Sequence, residues 1–156
     1  MAAAKSAKAK SPAKSQSKSH WLIKSEPAKY AWERFAEDGT AQWDGVRNYE
    51  ARNNLAAMKK GDLVLYYHST EGKEIVGIAS VTREAYPDPT TDDERWVAVD
   101  VAPVVKLMKP VGLQDVKADE LLREMALGRR GRISVVPVTP AEFRRVLKLG
   151  ATALPR

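Results

Sequence analysis

Three strand-length runs follow one another between residues 63 and 106, and this feature restricts the fold more than any other. The runs cover residues 63–69, 74–83 and 95–106, and the stretch 86–94 between the last two is rich in Pro, Asp and Thr. Helices are placed irregularly around these strands, with no regular β-α-β alternation. The pattern therefore predicts an α+β fold built on a curved or barrel-like sheet.

Alternation along the first of these runs predicts which side chains share a face of the sheet. One face carries Leu63, Leu65 and Tyr67, and the other carries Val64, Tyr66 and His68. In the second run, Gly77 interrupts an otherwise apolar strand. A glycine in a strand interior indicates a bulge or a close backbone approach.

The remaining segments predict helices and two further strands. The last helix has the clearest signal, because Thr139 is a good N-cap, Pro140 and Glu142 follow it as the first and third helical residues, and Gly150 ends the pattern. The other predicted elements are a strand over 21–25, helices over 28–37, 48–58 and 113–126, and a late strand over 132–138.

Charge is distributed unevenly along the 156 residues. Five lysines and no acidic residue lie in residues 1–19, so this Ala/Lys/Ser-rich segment holds +5 of the net +6 and leaves +1 for the rest. A low-complexity segment with no aromatic or branched aliphatic residue is expected to be disordered. Two interpretations stay open for it: a loose electrostatic grip on phosphates, or a solubilising tail. We expect one folded domain over residues 20–156.

Composition excludes several classes of function. The chain has no Cys and two His, His20 and His68, which excludes disulfides, thiolate sites and Cys nucleophiles and argues against a multi-histidine metal site. We expect no metal, no cofactor and no membrane span. Without an apolar signal segment, we expect an intracellular protein, cytoplasmic or nucleoid-associated in a bacterium and nuclear in a eukaryote. Oligomeric state cannot be read from the sequence.

The segment 43–54 is the most unusual part of the chain. It places Trp43, Asp44, Arg47, Asn48, Tyr49, Arg52, Asn53 and Asn54 within twelve residues. Tryptophan can stack on a base, asparagine can pair with a base edge, and arginine can hold phosphate. The same residues also fit a structural interpretation, in which Trp43 is core, Asn48 caps a helix and the arginines are solvated or paired.

Three shorter motifs carry polar groups beyond what a core needs. Ser25 and its neighbours in KSEP stand where a strand ends, although Ser25 alone can equally cap the following helix. His68 in YYHS lacks a nucleophile motif beside it and is more often a hydrogen-bonded structural residue. The arginines at 129, 130 and 132 form either a phosphate-sized patch or a solvated surface.

Taken in order, these segments resemble the EVE domain family. The similarity is carried by WLIKSEP (21–27), WDGVRNYEARNNL (43–55), MKKGDLVLYYHS (58–69), IVGIASV (75–81), WVAVDV (96–101) and RISVVPV (132–138). One departure is Val136, where many members carry Gln. The resemblance implies a PUA-like pseudo-barrel of mixed β-strands with flanking helices, related to the YTH domain. It also implies that the domain binds a modified base, most of all a modified cytosine in DNA, without catalysis.

The resemblance also implies a role for individual residues. Trp43, with Trp21 or Tyr67, would sandwich a flipped base. Ser25, Asn48 and His68 would form hydrogen bonds with the edge of the base. Glu26 would accept a hydrogen bond from an exocyclic amine of the base, and Ser134 would complete the rim of the pocket. Lys24, Arg47 and Arg132 would hold backbone phosphates. The expected partner is DNA or RNA carrying a modified base.

Two alternatives remain at this point. Related ASCH proteins include an amidohydrolase that uses Lys, a hydroxyl group and Glu, and Lys24, Ser25 and Glu26 supply those types. Adjacent strand residues face opposite ways, however, so Lys24 and Ser25 do not easily converge. The other alternative is a plain protein-interaction domain.

Overall fold

The computed structural model describes residues 19–155 and contains six strands and six helices in that range. The predicted disorder of residues 1–19 therefore falls, except for Ser19, outside the described residues. The strands are β1 His20–Ser25, β2 Ala41–Trp43, β3 Leu63–His68, β4 Glu74–Pro87, β5 Val97–Gly112 and β6 Val135–Val138. The helices are α1 Pro27–Tyr30, α2 Trp32–Asp38, α3 Tyr49–Ala57, α4 Leu113–Ala118, α5 Ala126–Arg129 and α6 Pro140–Leu149.

All six strands form one mixed sheet in the order β2-β5-β4-β3-β1-β6. Only β1 and β3 pair in parallel, and the other neighbours are antiparallel. The long β4–β5 ladder shifts register four times, and such bulges add the twist that bends a sheet. β2 and β6 remain edges, so the sheet is curved but open. The predicted α+β class with a pseudo-barrel of mixed strands is confirmed.

The aromatic core centres on Tyr66 of β3, whose side chain is fully buried. Its ring stacks on Phe35 at 5.2 Å between centroids, and Trp32 and Trp43 meet it edge-on at 5.4 and 5.7 Å. Edge-to-face and offset pairs of this kind are the favoured aromatic geometries. The ring of His68 lies on the same face at 5.9 Å, which confirms the face predicted for Tyr66 and His68.

The helix predicted over 28–37 is divided into α1 and α2 by Ala31, which is extended at φ −81° and ψ 160°. The carbonyl of Tyr30, needed to continue the helix, instead accepts hydrogen bonds from the Ser25 and Tyr66 hydroxyls at 2.8 and 2.7 Å. The backbone N–H of Trp32 donates to Nε2 of His68 at 3.0 Å. Tertiary hydrogen bonds thus replace the local ones and break the helix.

The helix predicted over 113–126 is also shorter than expected. α4 stops at Ala118 because Asp119 turns extended, and its carboxylate accepts from the backbone N–H groups of Leu121 and Leu122 and from Arg145. The strand expected over 132–138 begins only at 135, whereas β4 and β5 run several residues past their predicted ends. β2 was not predicted, since three residues show no usable periodicity.

Two helix starts follow the sequence prediction closely. The Thr139 hydroxyl accepts from the Glu142 backbone N–H at 3.1 Å, and the Glu142 carboxylate accepts from the Thr139 N–H at 2.9 Å. This reciprocal pair is a capping box, and it fixes the first turn of α6. Asn48 caps α3, with Oδ1 accepting from the Ala51 N–H at 2.9 Å.

Gly77 has both features that its place in a strand predicted. The β4–β5 pairing shifts register beside it, and the ring of Trp32 packs directly against its Cα. A Cβ at this position would lie 2.5 Å from the Trp32 ring. The absence of a side chain is therefore what lets α2 approach the sheet. No helix in the described part of the chain is long and apolar enough to cross a membrane.

We expect Gly77→Ala to lower the free energy of unfolding by about 1–3 kcal/mol, because the added methyl must displace the Trp32 ring. Gly128→Ala is the matched control, since nothing lies within 4 Å of a Cβ there. Urea unfolding of both variants checks the prediction. Equal stability of the two would show that α2 does not depend on this contact.

Candidate nucleic-acid interface

A cleft of about 430 Å³ opens where β1 ends, beside the edge strand β2. We call it the Trp43 cleft, after the half-buried tryptophan in its wall. Its lining consists of Ser25, Lys29, Tyr30, Ala41, Gln42, Trp43 and Asp44. An open pocket with an aromatic wall and several polar groups is the usual form of a site for a planar ligand.

The position of Trp43 is fixed by the sheet and by two tyrosines. It pairs with Val99 of β5, and its ring lies 5.7 Å from Tyr66 and 6.4 Å from Tyr30. Ser25 enters the same cleft from the end of β1, where its hydroxyl donates to the Tyr30 carbonyl. The bonds that end α1 therefore also shape the cleft.

Gln42 and Asp44 provide the main polar groups of the rim. The Gln42 side-chain amide donates to Oδ2 of Asp44 at 2.6 Å, which leaves one amide N–H and one carboxylate oxygen for a ligand. Lys29 lines the same cleft and makes an exposed ion pair with Glu26 at 3.4 Å. The cleft thus presents a hydrogen-bond acceptor and a donor beside an aromatic wall.

Of the predicted base-pocket residues, the structure places Ser25 and Trp43 in the lining of the Trp43 cleft. His68 lies behind the cleft, where its Nε2 accepts from Trp32 and its ring meets Tyr66. Burial lowers the pKa of His68, and the carboxylates of Glu33 and Glu74 offset this only in part. His68 therefore supports the start of α2 through a hydrogen bond, which is the structural role considered for it in the sequence analysis.

The two aromatic partners proposed for Trp43 are not brought to it. Trp21 shares a face with Ser25 but lies four residues earlier, roughly 13 Å along the strand. It is buried there, and its indole N–H donates to Asp62 at 3.0 Å. Tyr67 points to the opposite face of β3 from Tyr66 and lines a separate pocket with Lys24. Neither side chain can face Trp43 across one base.

Glu26, Asn48 and Ser134 also lie outside the lining of the cleft. Glu26 precedes α1 and forms an ion pair with Lys29. The side-chain carbonyl of Asn48 already accepts from the Ala51 N–H in the cap of α3. The Ser134 carbonyl accepts from the Lys24 backbone N–H at 3.0 Å, next to the other pocket.

The three predicted phosphate contacts have different surroundings. Arg47 pairs with the buried carboxylate of Asp88 at 2.9 Å, so its charge is already balanced. Burial raises the pKa of Asp88, but hydrogen bonds from Thr90, Gly45 and Arg47 outweigh it and hold the pKa below its usual range. Arg132 is exposed and makes no ion pair within the described residues.

Neighbouring arginines are neutralised. Arg129 pairs with Glu124, and Arg130 pairs with Glu50 at the start of α3. Arg132 is therefore the cation of this loop that remains for an anion. Lys24 is half-buried, and its ammonium donates to the Gly131 carbonyl at 2.9 Å.

The residues of the hydrolase alternative do not converge. Lys24 bonds to Gly131, Ser25 bonds to Tyr30, and Glu26 pairs with Lys29. Alternation along β1 sends the first two side chains to opposite faces of the sheet. The structure gives this arrangement no common point at which a substrate could meet all three groups.

Sequence reasoning missed part of the site. Lys29, Tyr30 and Gln42 carried little signal, because their approach depends on the break at Ala31 and on the short strand β2. Asp44 was part of the unusual segment 43–54 but was not assigned to the pocket. A second missed feature is Trp96, whose ring lies 5.6 Å from the Arg47 guanidinium and 5.1 Å from the Tyr49 ring. Within residues 19–155 no group of three or more His, Asp or Glu side chains could hold a metal.

Comparison with known proteins places this chain among a well-defined set. The EVE domain family model matches residues 19–149. Human thymocyte nuclear protein 1 is 37% identical over 165 residues, covering 84% of this chain and 73% of the human one. The crystal structure of protein Atu2648 from Agrobacterium tumefaciens is 45% identical with a TM-score of 0.85, covering 88% and 96% of the two chains.

One solved structure of a relative contains DNA. The human THYN1 protein in complex with 5-methylcytosine containing DNA is 34% identical to this chain, with a TM-score of 0.80. The match covers 87% of this chain and 99% of that one.

The hydrogen bond from the Trp32 backbone N–H to Nε2 of His68 requires the neutral imidazole, so the stability of the fold should depend on pH. Because the pKa is lower in the folded chain, the unfolded chain binds the proton more readily. The stabilisation is complete above the unfolded pKa of about 6.5 and is lost as pH falls below it. We expect the melting temperature to drop between pH 7.5 and pH 5.

His68→Gln separates this effect from other titrations, since the Gln amide oxygen can still accept from Trp32 but takes no proton in this range. We expect a shallower fall of the melting temperature in the variant, with His20 and all carboxylates common to both proteins. Superimposable pH profiles of the two proteins would rule His68 out as the titrating group.

Proposed function

This chain belongs to the EVE domain family, and on that premise we propose that it binds a modified nucleic-acid base, a modified cytosine in DNA, in the Trp43 cleft. The observation that carries the proposal is the human relative bound to DNA containing 5-methylcytosine, which aligns over nearly the whole described domain. Under this proposal the protein recognises the base and does not transform it.

Trp43 supplies the stacking surface. Its ring is anchored on one side by Tyr66 and Tyr30 and remains partly exposed in the cleft. Stacking on an aromatic side chain contributes about 1–3 kcal/mol per base. Extruding a paired base costs a few kcal/mol, so polar contacts to the base edge must supply the rest.

Gln42 and Asp44 match the edge of cytosine. Cytosine presents an exocyclic amine, which donates, beside a ring nitrogen, which accepts. The free Asp44 oxygen accepts from the amine, and the remaining Gln42 N–H donates to the ring nitrogen. Thymine reverses both groups and is disfavoured. In this proposal Asp44, and not Glu26 as the sequence predicted, accepts from the exocyclic amine. A 5-methyl group would contact the apolar part of the lining, Tyr30 and Ala41.

Arg132 and Lys24 are the proposed phosphate contacts, because neither makes an ion pair with a carboxylate in the described structure. Arg47 instead holds the loop 44–47 through Asp88 and stacks near Trp96, so it shapes the approach to the cleft. A reader of modified DNA would act where the DNA is, in a nucleoid or a nucleus.

Trp43→Ala tests the stacking role. We expect affinity for a duplex containing 5-methylcytosine to fall about 5- to 150-fold, the equivalent of the stacking energy, and Trp43→Phe to fall less. Isothermal titration gives the affinities, and circular dichroism checks that both variants are folded. Folded Trp43→Ala protein with unchanged affinity would contradict the proposal. Lost stability without a separate binding defect would favour the protein-interaction alternative.

Asp44→Asn tests the reading of the base edge. We expect the preference for 5-methylcytosine over thymine at the same position to fall about tenfold, within the 1–3 kcal/mol of a good base contact. Asp92→Asn is the control, since it removes the same charge from an exposed carboxylate. Equal discrimination by the two variants would remove Asp44 from the site.

A further inference from the structure

A second pocket, of about 320 Å³, lies around the end of β1 on the other face of the sheet. Lys24 lines it, whereas the next residue, Ser25, lines the Trp43 cleft. Strand alternation alone separates the two side chains. We call this cavity the Lys24 pocket, and its polar lining is made by Lys24, Ser69, Thr70, Lys73 and Lys117.

Three lysines from three different elements meet in the Lys24 pocket. Lys24 comes from β1, Lys73 from the turn between β3 and β4, and Lys117 from α4. No carboxylate lines the cavity, and none of the three ammonium groups has a carboxylate within 4 Å in residues 19–155. The cavity is therefore lined by three positive charges with no carboxylate beside them, and such a lining attracts an anion.

The turn between β3 and β4 is held in a costly conformation at this pocket. Thr70 and Lys73 have positive φ values of 70° and 50°, on either side of Gly72 at 80°. Non-glycine residues pay about 1 kcal/mol or more for such backbone angles. The Lys73 carbonyl accepts from the Leu113 N–H at 2.8 Å, which ties the turn to the start of α4. The strained turn places the Thr70 and Lys73 side chains on the rim.

The floor of the pocket is apolar. Tyr67 and Leu127 are 4% and 3% exposed, and Leu113 completes the surface beside them. Burial also lowers the pKa of Lys24, with no carboxylate opposing the shift. Cations and hydroxyls around an apolar floor suit a ligand with an anionic head and a less polar body.

We propose that the Lys24 pocket is a second site, which binds a phosphate group carried by a nucleotide. Lys24, Lys73 and Lys117 hold the phosphate oxygens, Ser69 and Thr70 donate from their hydroxyls, and the nucleotide body rests on Leu113 and Leu127. The phosphate has two sources with the same chemistry: a free mononucleotide, or the backbone next to a base held in the Trp43 cleft. The second source rests on the proposed function, and the first does not.

The test uses a double variant, Lys73→Asn with Lys117→Gln, in the full chain. Asparagine is chosen because it tolerates positive φ better than most residues. The control, Lys59→Gln with Lys148→Gln, removes the same charge from two exposed lysines that do not line the pocket. Thermal melts establish that both proteins are folded.

Titration with adenosine monophosphate and with inorganic phosphate tests the free source. We expect the double variant to bind at least about tenfold more weakly than the control, as for lost charge-assisted bonds. The salt dependence of binding to unmodified and 5-methylcytosine duplexes tests the backbone source. There we expect the slope of the logarithm of the association constant against the logarithm of the salt concentration to become less steep in the double variant. The slope should change by about 0.9 for each phosphate contact that the variant loses.

Either result alone supports the Lys24 pocket and identifies its phosphate. If the double variant and the control agree in both measurements, the inference is wrong. Failure of the proposed function gives a different result, in which methylated and plain duplexes bind alike at every salt concentration. The adenosine monophosphate titration needs no modified base, so it remains decisive in that case.

Discussion

The hydrogen bond from the Tyr66 hydroxyl to the Tyr30 carbonyl is the interaction on which the rest of the site depends. The Ser25 hydroxyl donates to the same carbonyl. This carbonyl is therefore not available for the backbone hydrogen bond that would have continued α1. The chain therefore turns at Ala31, and α2 starts with its first N–H on His68. Burial raises the pKa of Tyr66 to about 12, so the hydroxyl keeps its proton and remains a donor. Because the same ring supports Trp43, one buried tyrosine sets both the helix break and the aromatic wall.

The elements with local signals could be predicted from the sequence, and the elements set by distant contacts could not. The α6 capping box, the Asn48 cap and the close approach at Gly77 each follow from a few neighbouring residues. The break at Ala31 and the end of α4 at Asp119 depend on partners such as Tyr66 and Arg145, more than twenty residues away. The site shows the same limit, because strand pairing decides that Trp21 and Tyr67 do not reach Trp43.

Strand alternation at the end of β1 explains why two adjacent residues serve different surfaces. Lys24 and Ser25 are neighbours in sequence, yet one enters a cationic pocket and the other an aromatic cleft. This geometry separates the groups that a hydrolase would need to bring together. The same geometry suits a nucleic-acid ligand, since a base and a phosphate also require surfaces of opposite character at a short distance.

Ion pairing within the domain decides where its small net charge can act. Arg47, Arg129 and Arg130 form ion pairs with Asp88, Glu124 and Glu50. Arg132 and the three lysines of the Lys24 pocket, by contrast, have no carboxylate within 4 Å in residues 19–155. Under the proposed function, a domain of nearly neutral total charge would hold phosphate at these few positions, and Asp44 would select the base. General attraction to nucleic acid, by contrast, depends on net positive charge, and five of the six net charges of this chain come from the lysines of residues 1–19.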